Sequence, residues 1–316
     1  MKLPRPILLA PLLLLAAKSL FSHEHLTIQE QLGYPADAKL LIIHADDLGV
    51  AHSENVATFQ AMEEGVVTSA SVMMPTPWAK EAALYAIKNP EADLGVHITL
   101  TAEWETFKWG PMLGADTVPS LVDAHGHFHP DVATFAAKAD LQEIEAEVRS
   151  QIEAAREAGI EFTHLDGHMG SMLATDEIAQ LYFRLGKEYG VPVRLHQHHA
   201  SHSDNQALKS AVVDMPGKVT SIHGASPNDF PEGMATSYNQ YLRELEPGLN
   251  LLVLHLGFDD AEMQAITVNH PLWGARWRQL DYDWSMSDEA KAIIEEEGII
   301  LVDWRLVKEK LFDKAY

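Results

Sequence analysis

Four segments, far apart in the chain, bring histidine or aspartate to the end of a short apolar run. KLLIIH (Lys39–His44) is followed by Ala45, Asp46 and Asp47. DLGVHITL (Asp93–Leu100) carries His97. The run Glu161–Leu165 carries His164 and leads into Asp166 and His168 in the stretch THLDGH. LLVL (Leu251–Leu254) is followed by His255. Neighbouring aspartates at a strand end point in different directions, so one can hold a cation while the other faces a substrate. Two imidazoles and one carboxylate form a donor set that leaves positions open for water and substrate. A cation so held acidifies its water and polarises a carbonyl. A second carboxylate can take the water proton, and a histidine opposite can protonate a leaving group. That chemistry is hydrolysis of an amide or an ester. Each residue alone has a plainer reading: an Asp pair caps turns, and a histidine after a strand is commonly packed and hydrogen-bonded. It is their recurrence at successive strand ends that points to a site.

Composition narrows the choice. The 316 residues include 17 histidines and no cysteine. Disulfides, thiolate metal sites and cysteine nucleophiles are therefore excluded, and any metal must rest on His, Asp and Glu. With 23 Lys+Arg against 46 Asp+Glu, the formal charge is −23. Such a chain is a poor partner for nucleic acid or an anionic membrane surface, which leaves a neutral or amine-bearing substrate. Apolar residues reach 47%, enough for a core. Met1–Ser22 has a basic start (Lys2, Arg5) and an apolar run, Ile7–Ala17, shorter than the roughly 20 residues that span a bilayer. It reads as a secretory signal, predicting export to the periplasm or outside, or a membrane anchor if it is not cleaved. Losing it removes Lys2, Arg5 and Lys18 and takes the charge from −23 to −26.

Around these residues, strands and helices alternate. Strands are expected at Lys39–His44, Val67–Met74, Asp93–Leu100, Glu161–Leu165, Val191–Leu195, Lys218–Ile222, Asn250–Leu254 and Gly298–Val302. Helices are expected at Ser53–Gly65 (Ser53 as cap), Pro77–Lys88, Leu141–Gly159, Thr175–Gly190, Tyr238–Leu245, Asp288–Glu297 and Leu306–Phe312. The alternation predicts an α/β fold with a parallel sheet: a (β/α) barrel-like, TIM-type barrel of seven to eight strands, distorted or incomplete, with an open doubly wound sheet as competitor. In a barrel the strand ends converge on one mouth. HADDLGVAHS after the first strand lacks a glycine-rich phosphate loop, which argues against nucleotide binding. No repeat or linker divides the remainder, so residues 37–316 are expected to form a single domain, with an inserted loop at 103–136.

Taken in order, LIIHADDLGVAHSEN, GVVTSASVMMP, DLGVHITLT, THLDGH and LLVLHLG resemble the YdjC-like carbohydrate deacetylase family, which includes chitooligosaccharide and hopanoid-type deacetylases. The resemblance runs from about Leu40 to the C-terminus, and THLDGH is its most specific motif. It implies a barrel-like fold and metal-dependent removal of acetyl groups from N-acetylated sugars. Carried over by position, it implies Asp47, His97 and His168 as metal ligands, Asp46 as general base and His255 as general acid. Arg194 matches a basic residue that orients Asp46 or substrate. The family's usual metal is Mg, whereas two imidazoles favour Zn, Mn or Co. The implied partner is a small carbohydrate, with no membrane span in the mature protein; the oligomeric state is left open. Three departures stand out: His44 where Asn is usual, Gly170 where a further His would follow HxDxH, and Leu256 where Pro is usual.

Other polar and aromatic residues carry weaker expectations. Asp166 is expected to orient His168 or His164, and His164 to support the site or meet substrate. The 103–136 loop holds Trp104, Phe107 and Trp109, which could stack on sugar, as well as His125, His127 and His129. A second histidine cluster, His196, His198, His199 and His202, reads as a polar loop. Trp273, Trp277 and Trp284 read as a lid or as core, and Glu143–Glu157 as a solvated helix face. Two alternatives stay open: an exported saccharide- or metal-binding protein without turnover, and a metal hydrolase of another amide or ester.

Overall fold

A computed structural model describes residues 26–201 and 203–312; the expected signal, Met1–Ser22, and His202 lie outside the described residues. Among the described residues, seven parallel strands form one sheet: β1 (Lys39–Leu48), β2 (Ser69–Val72), β3 (Leu94–Ile98), β4 (Leu165–Gly167), β5 (Ser221–His223), β6 (Gly248–Leu254) and β7 (Ile300–Leu301). Their order is β4-β3-β2-β1-β6-β5, and β7 pairs with the first half of β1 at Leu40 and Leu41. The α/β class and the parallel sheet are as expected. The seven strands do not close into a barrel, in keeping with the distorted or incomplete form of the expected barrel. The sheet curls, but only isolated bridges, Leu165 to Val193 and His196 to Val219, span the gap between β4 and β5. Val191–Leu195 was expected as a strand and makes only the Val193 bridge. The strand expected at Glu161–Leu165 lies instead at Leu165–Gly167. Buried apolar side chains are equally at home in an extended segment that covers the core, so apolar runs there overstate the ladder.

Strand parity organises the interior. Leu40 and Ile42 on β1 pack with Leu249 and Leu251 on β6, Val219 and Trp304 in a small inner cluster. Leu41, Ile43 and Ala45 face the larger core that packs the helices. Side chains alternate along a strand, so His44 and Asp46 continue the inner face above Leu40 and Ile42, and His255 continues it above Leu249 and Leu251. The inner face thus climbs from apolar at the bottom to ionisable at the top. The helix Trp304–Leu311 closes the bottom, where Trp304 stacks on His164 at 5.3 Å.

Local signals set most helix ends. Asp140 caps Leu141–Glu157 by accepting from Gln142 N and Glu143 N. Thr175 caps Asp176–Tyr189, and Gly190 ends it in a left-handed turn. Ser53 is not a cap: the helix starts at His52, and Glu262 accepts from the backbone of His52 and Ser53 instead. Within the acidic helix, Glu145 and Arg149 form surface ion pairs, but Glu147 is buried and accepts from the backbone of Met112 and Leu113, so it anchors the 103–136 insertion. Helices at Val132–Lys138, Gln206–Val213, Ala261–Ile266 and Ala275–Met286 were not anticipated. No helix among the described residues is long and apolar enough to cross a membrane.

Candidate active site

The two aspartates of β1 diverge because the ladder slips beneath them. His44 and Ala45 pair with Ser69 and Ala70, but Leu48 pairs with Val72, so three steps on β1 answer two on β2. Asp47 takes up the extra residue in a left-handed conformation, φ 69°, which Asp tolerates better than most residues. Asp47 Oδ1 then lies 3.1 Å from Nδ1 of His168 and 3.3 Å from Nε2 of His97. One ligand atom from each of Asp47, His97 and His168 falls within 4.8 Å of the others. Asp47 Oδ1 and His97 Nε2 are buried without a hydrogen-bond partner. Without a cation, protons on the facing imidazoles offset the Asp47 carboxylate, and a divalent cation can take their place between the carboxylate oxygen and the imidazole nitrogens. The residues fit a metal, and they are the three that the resemblance implied.

The supporting residues are only partly those expected. His97 and Asp166 are direct partners in the β3–β4 register, and Nδ1 of His97 lies 2.7 Å from Oδ1 of Asp166. Asp166 therefore orients His97, not His168 or His164. Its other oxygen accepts from Ser71 and lies 3.0 Å from Nε2 of His44. His168 is held by Glu103, whose Oε2 is 3.0 Å from Nε2. Such carboxylate–histidine pairs fix ring orientation and tautomer in metal sites. Burial disfavours charge on His97, but Asp166 and Asp46 outweigh it and push the ring up to about 9. His168 is likewise raised, by Glu103 and Asp47 against burial.

Asp46 faces the cleft beside the metal set. Arg194 Nη1 donates to its Oδ1 at 2.7 Å, and His255 Nε2 stands 3.9 Å from its Oδ2. Burial works against the Asp46 carboxylate, yet Arg194 and His97 hold it well below the usual range. His255 is pushed down to about 4, chiefly by burial; its backbone N donates to Asp281, which also accepts from the Tyr238 hydroxyl. His164 takes no part in the cleft. It lies in the interior, fully buried, against Trp304 and the edge of His44. Gly95 makes that possible, since a Cβ there would stand 2.4 Å from the His164 ring.

Arg278 and Glu103, which the sequence did not single out, complete the walls with Trp273, which the sequence left as lid or core. Arg278 donates to Asp47 Oδ2 at 2.7 Å and to Glu54 Oε2 at 2.6 Å, while its guanidinium lies over Trp104 at 5.3 Å. The cleft holds about 400 Å³, within the range of small-molecule sites, and Glu103, His270 and Trp273 border it together with the residues above. The histidine-rich loops do not border it. His125 and His127 sit on a turn held by Asp123, and His129 is buried and donates to Ser120 O. His196 and His198 lie against each other, and among the described residues neither cluster forms a group able to hold a metal.

The model of the family described as YdjC-like protein matches residues 40–296. A carbohydrate deacetylase of Thermus thermophilus is 32% identical over 278 residues, covering 87% of this chain and 96% of that protein. A carbohydrate deacetylase of Brevibacillus brevis is 35% identical over 154 residues, 49% of this chain and 58% of that protein. Among solved structures, a protein described as a cellobiose-phosphate cleavage protein from Enterococcus faecalis V583 matches with a TM-score of 0.72 at 25% identity, over 84% of this chain and 98% of that one.

Proposed function

The chain belongs to the YdjC-like family, and from that premise we propose that it is a metal-dependent hydrolase that removes acetyl groups from N-acetylated sugars or small oligosaccharides. The observation that carries the reading is the pair of unpartnered buried atoms, Asp47 Oδ1 and His97 Nε2, beside a second carboxylate, Asp46, that faces the cleft. A protein that only bound saccharide or metal would have no use for that second, arginine-held carboxylate.

Asp47, His97 and His168 would hold one divalent cation. When bound, the cation supplies Lewis acidity toward the acetyl carbonyl and lowers the pKa of its water. Its two imidazole ligands favour Zn, Mn or Co over the Mg implied by resemblance. Asp46 stays ionised because Arg194 neutralises it, so it is ready to take the proton of the attacking water. His255 is uncharged at neutral pH and starts without a proton to give. It receives one from Asp46 and passes it to the sugar nitrogen as the C–N bond breaks. Water and amide thus become acetate and a protonated amine, the second water proton leaving the new carboxyl group for the amine. Asp281 fixes the backbone of His255 and so places its ring.

Acetate release from a panel of N-acetylated mono- and oligosaccharides, with and without chelator, tests the reading. Chelator-sensitive, metal-restored release is expected. Saccharide binding with no acetate from any substrate would favour the non-catalytic alternative, and release confined to simple esters would favour another hydrolase. The Met1–Ser22 pattern supports export through a signal peptide, and the intact mass of the protein recovered from the periplasm or medium checks it.

A further inference from the structure

Four non-glycine residues of the described chain adopt a left-handed backbone: Asp47, Met169, Asn269 and Trp273. Asp47, Met169 and Trp273 border the cleft, and Asn269 precedes His270, which also borders it. For a residue as bulky as tryptophan this conformation is a true outlier, kept only where the surroundings hold it, and such outliers collect at binding sites. At Trp273 the restraints are visible. Arg278 Nε donates to its carbonyl oxygen at 2.8 Å. Its ring stacks on Trp277 at 5.0 Å and 27°, and Trp277 stacks on Phe230 at 5.3 Å and 17°. Trp277 is 1% exposed and Trp273 is 38% exposed. An indole is thus held rigidly by a three-ring stack, one face covered and the remainder on the cleft wall. Trp104, the other tryptophan of the wall, is 2% exposed and lies under Arg278, so it has no face to offer.

We propose that Trp273 is the stacking platform for a pyranose ring of the substrate and that Arg278 sets its position relative to the metal ligand Asp47. One guanidinium reaches both, donating through Nε to the Trp273 carbonyl and through Nη2 to Asp47. A pyranose presents a face of C–H groups that buries well against an indole, and a pre-ordered ring loses little entropy on binding. The platform makes the cleft select saccharides over small acetamides. This rests on the carbohydrate reading above.

The test is calorimetric titration of the metal-loaded protein with an N-acetylglucosamine disaccharide and with acetamide, alongside steady-state KM and kcat. Trp273→Ala and Trp273→Leu should weaken disaccharide binding about tenfold and raise KM more than they lower kcat, while Trp273→Phe retains most of the affinity. Metal content should match wild type in all three variants. Disaccharide affinity of Trp273→Ala within about twofold of wild type, equal binding by the Leu and Phe variants, loss of metal in either, or no disaccharide binding by wild type would each overturn the platform. Trp273-dependent binding without acetate release by wild type would sustain the platform while removing the deacetylase reading.

Discussion

Arg194 Nη1 stands 2.7 Å from Oδ1 of Asp46 and 3.3 Å from Oδ2 of Asp166, so one guanidinium serves both the cleft carboxylate and the carboxylate that orients His97. Arg194 favours the charged form of Asp46 and lowers its pKa. A base works only when unprotonated, so with the metal held saturating, the limb set by Asp46 lies far on the acid side. Replacing Arg194 by Met should raise the pKa and move the acid limb of the kcat/KM profile to higher pH, with Arg194→Lys recovering part of the shift. A profile that keeps its acid limb in place in Arg194→Met would contradict the assignment.

Asp46 and His255 are separable by the leaving group. An amine must be protonated to depart, whereas a nitrophenolate need not be. Asp46→Asn should cost about 10² to 10⁴-fold on both an N-acetylated sugar and 4-nitrophenyl acetate, with metal content unchanged. His255→Gln should cost a comparable factor on the sugar and far less on the ester. Equal losses of His255→Gln on both substrates would remove its proton-delivery role.

Metal binding should release protons. A histidine ligand must be neutral, and in the metal-free protein His97 is raised to about 9 and His168 is also raised. Below those values protons compete with the cation, so apparent metal affinity should climb as pH rises from about 6 towards about 9 and level off beyond. Competition titration with a chromophoric chelator measures this. His97→Ala and His168→Ala should lose the metal, and full occupancy in either would refute the ligand set.

Glu103 holds the far nitrogen of His168 at 3.0 Å although it comes from the 103–136 insertion. Glu103→Gln should weaken metal affinity or activity about 10- to 100-fold, the usual cost of losing an outer partner of a ligand histidine. Added metal should restore the activity if the loss is one of affinity. Wild-type affinity together with wild-type kcat would show that Glu103 is a bystander.

What the chain disclosed on its own was set by local rules. Apolar runs of strand length ending in His or Asp identify strand ends, and period-two alternation puts Leu40, Ile42, His44 and Asp46 on one face whatever the fold does elsewhere. Asp46, Asp47, His97, His168 and His255 were legible for that reason, as was the all-parallel sheet. The absence of cysteine confined the donors to His and carboxylate. Tertiary structure decided what depends on register and on elements arriving from far away. The β3–β4 pairing gives Asp166 to His97, although in sequence it stands two residues from both His164 and His168. The slip between β1 and β2 turns Asp47 toward the metal set, and no residue type announces a slip in pairing. Glu103 reaches the site from the loop insertion, and Trp273 and Arg278 from the turn and first turn of the helix at Ala275–Met286, so their contacts follow from packing rather than from spacing. The same holds in reverse for the histidine-rich loops and for His164. Composition made them conspicuous, but burial or surface placement keeps them out of the cleft.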